Sequence, residues 1–185
     1  GLHPVPAQAE SKAMISTYFT TLSLTDRIHI QLVKELRAYT ALSNWTDGRI
    51  FRGLGSVNVQ EDNFSLPACI ILPNDEEEKT TPGQNSQILM GFSIVVLFEQ
   101  PMQFLEAEEA TILSVVAGIK GYLFGKSALI EAGGTVLTQK IDSFRTLAYD
   151  SIEFEDGMVL GICPLIVTYY SSVKTVSRNP SVGTT

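Results

Sequence analysis

The sequence has little positive charge and no long hydrophobic run, and each shortage argues against a class of function. Lys and Arg together number 13 against 20 Asp and Glu, so the net charge is −7. A broad surface for nucleic-acid phosphates needs the opposite sign. No apolar stretch reaches the roughly 18 residues of a membrane-spanning helix. The first residues, Gly1 to Pro6, lack the basic start and apolar core of a signal peptide. We therefore expect a soluble protein, made in a cytoplasm, without a membrane partner.

Cysteine and histidine are too scarce and too scattered for a metal site or for a nucleophile with its base. Cys69 and Cys163 sit inside apolar runs, which favours buried free thiols over a disulfide. His3 lies in a segment without periodicity and His29 lies in a predicted helix. Neither histidine has a second His or a Cys at ligand spacing. We expect no catalytic residues, no metal ligands and no cofactor.

One stretch resembles a nucleotide-binding loop but fails its spacing. Gly121-Tyr-Leu-Phe-Gly125 is followed by Lys126 and Ser127, yet only three residues separate the glycines where the motif has four. The stretch also ends a predicted helix, whereas a phosphate loop opens one. We interpret it as a helix C-terminus, with Lys126 facing the negative end of the helix dipole.

The length of 185 residues predicts one domain, over 23–172, with an N-terminal arm over 1–22 and a C-terminal tail over 173–185. Hydrophobic periodicity and turn signals predict helices at 24–40 and 101–125. The first helix opens with the capping-box spacing of Ser23 and Asp26. The same signals predict strands within 50–59 and at 67–72, 88–98, 135–141, 145–153 and 159–170, with a polar loop over 74–84.

The order of these elements predicts an α+β fold: a mixed, mostly antiparallel β-sheet with two α-helices packed on one face. The strands at 88–98 and 159–170 are apolar on both faces, so the face without helices needs a cover. Another subunit is one explanation, and sheet residues folding over each other is the alternative. Pro164, inside the last strand, predicts a bulge or an edge position.

Four carboxylates, those of Asp75, Glu76, Glu77 and Glu78, follow the apolar run that ends at Leu72. Adjacent side chains in an extended chain point apart, so they do not converge on one ion. Their uniformly polar surroundings offer no contrast that would split their pKa values for catalysis. We interpret them as a solvated loop. In a symmetric oligomer, this loop would form a negative patch or ring.

Taken together, the layout resembles the tail terminator, or tail-completion, proteins of long-tailed bacteriophages. The resemblance covers roughly residues 24–172 and is one of architecture. It consists of five features: an opening amphipathic helix (25–39), a Pro-Ala-apolar strand with an acidic continuation (67–78), a long apolar strand (88–98), a helix ending near Leu-Phe-Gly (105–125), and a final strand ending in Tyr169-Tyr170.

The resemblance implies a structural virion protein of the tail or neck, assembled in the host cytoplasm, and no enzyme. Such proteins form a ring, usually hexameric, that caps the tail tube and stops its polymerisation. Their partners are copies of themselves, the tail tube protein and the head-completion or connector protein, and DNA only passes through. Asp75, Glu76, Glu77 and Glu78 would then face the lumen or a ring face. Two alternatives stay open: another neck, connector or tube ring protein, and a small ligand-binding or enzymatic α+β domain.

Overall fold

The computed structural model describes residues 22–40, 49–53, 66–80, 85–100, 106–157 and 159–174. These residues form two helices and six strands, in the order α1 (Leu24–Ala38), β1 (Ile50–Phe51), β2 (Ala68–Thr80), β3 (Asn85–Gln100), α2 (Glu106–Phe124), β4 (Lys140–Thr146), β5 (Asp150–Glu153) and β6 (Val159–Lys174). The predicted α+β class is confirmed. The predicted arm and tail lie outside the described residues, apart from Leu22 and the end of β6.

The sheet has the strand order β1-β2-β3-β6-β4, and β5 pairs with β6 beyond the end of β4. The β1–β2 pair is parallel and the other pairs are antiparallel, as predicted for a mixed, mostly antiparallel sheet. The β3–β6 ladder runs from Asn85–Lys174 to Gln100–Val159 without a register shift. These two long strands form the centre of the sheet.

Both helices pack on one face of the sheet, which we call the helix face. α1 begins at the N-cap Ser23, whose side chain accepts a hydrogen bond from the Asp26 backbone N–H at 3.2 Å, as the capping-box spacing predicts. The buried stripes of the two helices join one core cluster with alternate residues of the strands. This cluster includes the predicted face of β3: Ile88, Met90, Phe92, Ile94, Val96 and Phe98.

The two cysteines are buried free thiols, as predicted. Cys69 and Cys163 flank Val96 on either side in the sheet. Two strand spacings of about 4.8 Å therefore separate them, which exceeds the reach of a disulfide. Burial raises the pKa of the Cys69 thiol to about 12 and also raises that of Cys163.

The predicted polar loop over 74–84 is wrong over most of its length. β2 continues through Asp75–Glu78 to Thr80 and stays paired with the first half of β3. Backbone pairing with an apolar neighbouring strand keeps this polar segment extended, although its own side chains are mostly exposed. Residues 81–84 lie outside the described part of the chain.

The position of Pro164 also differs from the prediction. It lies in a central strand, in a ladder without a bulge. Its carbonyl accepts from the Leu147 N–H at 3.0 Å, so its backbone points into the gap between β4 and β5. The missing proline N–H therefore removes no ladder hydrogen bond, because neither β4 nor β5 pairs with that side of β6 at Pro164.

Several predicted bounds shift for local reasons. The strand predicted at 135–141 begins only at Lys140, because the preceding backbone folds back on residues 129–131, with Leu137 N–H donating to Leu129 O at 2.7 Å. The strand predicted at 145–153 is divided between β4 and β5. α2 ends at Phe124, with Gly125 following as predicted, and 101–105 lie outside the described residues. The turns at Gly134 and Gly157 have the positive φ that glycine permits.

Candidate functional site

The acidic residues lie on an open edge of the sheet. β1 pairs only with Cys69 and Ile70, so beyond them the far side of β2 has no strand partner among the described residues. We call the exposed half of this strand, Pro73–Thr80, the acidic edge. The sequence predicted the exposure of these residues, but not that they form a strand edge.

The four carboxylates of the acidic edge are divided between the two faces of the sheet. Glu76 and Glu78 pair with Met90 and Ile88, whose side chains face the helices. Glu77 pairs with Leu89 and points to the opposite face. The Thr25 hydroxyl of α1 lies 3.5 Å from the Glu76 carboxylate, which agrees with this assignment. The predicted divergence of neighbouring acids is therefore confirmed.

A β-bulge positions the carboxylate of Asp75. The register between β2 and β3 shifts between Pro73 and Glu76, which places one extra residue in β2. The Asp75 carboxylate then lies over Gly91, where a Cβ atom would collide with it. Glycine at position 91 is what leaves room for this side chain. The sequence carried no signal for this contact, because a bulge changes which residues are opposite each other.

Within the described part of the chain, no group of three or more His, Cys, Asp or Glu side chains is placed to hold an ion. Nor is either helix there long and apolar enough to cross a membrane.

The opposite edge of the sheet carries basic side chains. Among the described residues β4 pairs with β6 alone, and Lys140 and Arg145 on it are exposed. The Lys140 ammonium lies 5.3 Å from the centre of the Tyr170 ring, which is a cation–π distance. We call β4 the basic edge, although it also contains Asp142.

One row of directly paired residues runs across the sheet from the acidic edge to the basic edge. Glu77 pairs with Leu89, Leu89 with Tyr170, and Tyr170 with Lys140. Directly paired strand residues point to the same face, so Glu77 and Lys140 share both a row and a face. Glu77 ends that row at the acidic edge, and Lys140 ends it at the basic edge. Sequence reasoning missed this relation, since it requires the strand order.

The face of the sheet away from the helices, which we call the open face, carries an apolar cluster. Ile70, Leu97 and Leu160 are buried there, and six further apolar residues that pack against them are only partly buried: Phe51, Leu66, Leu72, Val95, Phe154 and Ile162. No described helix covers this face. The long strands carry apolar residues on both faces, as predicted, but the open face leaves part of its apolar area in contact with water.

A shallow apolar groove runs between α2 and β4, beside the basic edge. It is lined by Ala117, Lys120, Gly121, Phe124 and Phe144. The Phe124 side chain is 72% exposed, the most of any large apolar residue described. Gly121 and Phe124 belong to the stretch that resembles a phosphate loop. The Gly125 N–H donates to Gly121 O at 3.3 Å, so this stretch closes a helix as predicted and leaves no free N–H cluster for a phosphate.

His29 has a structural environment. The residue is buried, with 3% of its surface exposed. Its Nε2 lies 2.7 Å from the Ile71 carbonyl, and because a carbonyl only accepts, Nε2 carries the proton and donates. Burial lowers the pKa of the imidazole. The Ile71 carbonyl lies beyond the described β1 pairing, which involves Cys69 and Ile70, and His29 supplies its hydrogen-bond donor.

Comparisons with known proteins add little to this description. No family model matches the chain, and no curated protein matches it. Among solved structures, it is similar to a chain from the virion of a native gene transfer agent particle, at 12% identity and a TM-score of 0.45. The match covers 77% of this chain and 94% of that one. A likeness at this level establishes neither a shared fold nor a shared function.

Proposed function

We propose that the protein is a structural virion protein that forms a ring, hexameric by resemblance, at the head–tail joint of a long-tailed phage. The ring caps the tail tube, stops its polymerisation and joins it to the head connector while DNA passes through. The protein acts by assembly and not by catalysis. The architectural resemblance of residues 24–172 to tail terminator proteins supports this position in the virion.

The observation that carries the proposal is the open face of the sheet. Its partly exposed apolar residues, such as Val95 and Ile162, lie beside a small buried cluster. Extended apolar surface on a soluble protein marks a site of association. A second copy of the chain is the partner that a ring requires, and the open edges on both sides of the sheet leave room for one on each side.

The negative charge fits a ring through which DNA moves. A net charge of −7 per copy is multiplied in the assembly. Like charge disfavours adhesion of the DNA backbone to the wall of a channel. Because the acidic edge divides its carboxylates between two faces, Asp75 and Glu77 face one side and Glu76 and Glu78 the other. One pair at most therefore faces the lumen.

Tail-tube capping tests this function. Purified protein is added to polymerising tail tube subunits, and tube ends and lengths are measured by electron microscopy. The proposal predicts a ring at one tube end and tubes that stop growing once it binds. Rings that bind only the head connector would instead support the alternative of another neck protein. Binding to neither component would contradict a place at the joint.

A further inference from the structure

The outer side of α2 is apolar, like the inner side that joins the core cluster. On the outer side Leu113 is 47% exposed and Phe124 is 72% exposed. Ala117 and Gly121, between them, are exposed as well. These four residues follow one another at intervals of four, four and three, so they lie on one face of the helix, which we call the outer stripe. A helix that is apolar on all sides is typical of one that is covered on all sides.

The groove beside α2 widens the outer stripe into a concave surface. It is lined by Ala117, Lys120, Gly121 and Phe124 of α2 and by Phe144 of β4. A Cβ atom at Gly121 would meet no atom within 4 Å, so a neighbouring surface has access to the helix backbone there. The groove and the stripe together form one partly exposed apolar surface.

Each copy of the chain therefore has two partly exposed apolar surfaces, the outer stripe of α2 and the open face of the sheet. We propose that the outer stripe of one copy packs on the open face of the next copy. A helix layer on a sheet face is the arrangement that the helix face of the same sheet already has. This inference rests on the proposed ring and names the two surfaces through which its copies meet.

A contact between unlike surfaces covers both of them at once. A two-fold contact between two outer stripes would leave both open faces in water, and a two-fold contact between two open faces would leave both outer stripes in water. Association removes extended apolar surface of this kind from water. The contact of unlike surfaces is heterologous, and a heterologous contact closes into a ring when its rotation divides a full turn.

The outer stripe carries one positive charge at its border. Lys120 is the only charged residue of α2 beyond the first four positions of the helix. Its ammonium lies 5.7 Å from the centre of the Phe144 ring, a cation–π distance that keeps the charge beside the groove. A complementary surface therefore needs a carboxylate next to its apolar residues.

The open face has two exposed carboxylates next to its apolar cluster. Glu99 pairs with Leu160 and Asp150 pairs with Ile162, and directly paired residues share a face. Arg145 lies on the same face, but four β6 positions away from Asp150, about 13 Å along the sheet. Opposite charges therefore border the two apolar surfaces, and we expect Lys120 of one copy to lie beside Asp150 of the next.

Cysteine cross-linking tests which surfaces meet. The two natural thiols are buried, with exposures of 0% and 1%, so introduced cysteines react in their place. Ala117 lies on the outer stripe, and Ile152 lies on the open face because it pairs with Leu160. We expect the double variant Ala117→Cys/Ile152→Cys, treated in its assembled form with a short bismaleimide, to give a ladder of covalent oligomers on a denaturing gel.

Matched variants decide what a ladder means. Each single cysteine variant is expected to give no cross-link. A dimer from Ala117→Cys alone would reveal a two-fold contact of outer stripes, a dimer from Ile152→Cys alone would reveal one of open faces, and either result would overturn the proposal. The control Ala117→Cys/Ile130→Cys uses an isoleucine of similar exposure, 48% against 44%, that belongs to neither surface. It is expected to give no ladder, and a ladder as strong as that of the first pair would overturn the contact.

Charge reversal gives a second readout. Lys120→Glu and Asp150→Lys each place like charges at the contact, so each is expected to move assembly to several-fold higher protein concentration, and the double reversal is expected to restore it. Glu153→Lys is the control, because Glu153 is exposed on the same strand as Asp150 but, three residues further on, faces the other side of the sheet. An equal effect of Glu153→Lys and Asp150→Lys would mean that net charge controls assembly, and the contact would be wrong.

The unmodified protein separates failure of the contact from failure of the ring. Light scattering measures assembly of every variant beside it. If the unmodified protein forms rings while the cross-linking pair and the reversals have no effect, the contact is wrong and the ring stands. If the unmodified protein assembles neither alone nor on tail tubes, the ring and the contact both fail.

Discussion

His29 shows how a single polar residue can be functional in appearance and structural in fact. Its imidazole is buried and donates to the Ile71 carbonyl at 2.7 Å. A buried carbonyl without a donor costs about 1–3 kcal/mol. The residue therefore belongs to the attachment of α1 to β2, and burial favours the neutral form of its imidazole.

The lowered pKa of His29 predicts a pH-dependent stability. In the unfolded chain the imidazole takes up a proton below its ordinary pKa of about 6.5, whereas burial in the folded chain delays this uptake. The unfolded state then binds more protons, so the free energy of unfolding falls as the pH drops below 6.5. The slope from this group is at most about 1.4 kcal/mol per pH unit and vanishes below the folded pKa. Urea unfolding between pH 7.5 and 5 measures it.

Two variants isolate the contribution of this residue. His29→Gln keeps an amide donor for the Ile71 carbonyl but does not titrate, so it is expected to lose less stability between pH 7.5 and 5 than the unmodified protein. His3→Gln removes the other histidine and is expected to keep the full loss. Equal pH dependence in His29→Gln and the unmodified protein would contradict the account.

Substitution by alanine is expected to have opposite effects on stability at two glycines, Gly161 and Gly121. The Phe98 ring lies over Gly161, where a Cβ atom would overlap it, so Gly161→Ala is expected to cost about 1–3 kcal/mol through displacement of that ring. Gly121 lies in α2 with open space around it, so Gly121→Ala is expected to stabilise by up to about 1 kcal/mol. Thermal unfolding compares the two variants. Stabilisation by both would mean that Phe98 moves away without cost.

At the scale of elements, α1 was predicted closely because its signals are local. A capping residue, a period of 3.6 and an acidic first turn all act within a few residues, and α1 runs from Leu24 to Ala38 as expected. The acidic half of β2 was missed because its conformation is imposed by the neighbouring β3. Polar composition predicted a loop there, and no local signal records that a partner strand lies alongside.

The N-cap of α1 gives a prediction at this scale. Ser23→Ala removes the side-chain acceptor of the Asp26 N–H and is expected to cost about 1 kcal/mol. Ser23→Asn supplies a similar acceptor and is expected to cost much less. Chemical unfolding of the two variants at one pH measures the difference. Equal losses would show that the capping hydrogen bond contributes nothing, and that another property of Ser23 stabilises the helix.

At the scale of the whole molecule, the class of fold followed from the order of helices and strands, and so did the need for a cover on the open face. The strand order did not follow, because it depends on pairings far apart in sequence. Consequently, the acids were recognised as a cluster, while their position on one edge, opposite Lys140, was not. Only the strand order shows that Glu77 and Lys140 lie at the two ends of one row of paired residues.

The two edges of the sheet carry charged side chains. An exposed strand edge is a hazard that charged residues reduce. Here Asp75, Glu76 and Glu77 are exposed on the edge of β2, and Lys140 and Arg145 are exposed on β4. Screening by salt weakens attractions between surface charges, which adds a dependence on ionic strength to any assembly that uses them.

The most direct test of the central claim, that this protein works as a ring, is its native mass by light scattering across a range of protein and salt concentrations. The account predicts a ring-sized species, six times the 20.2 kDa protomer by resemblance, that is favoured at low salt. A mass of one protomer at every concentration, unchanged when tail tubes are added, would contradict it.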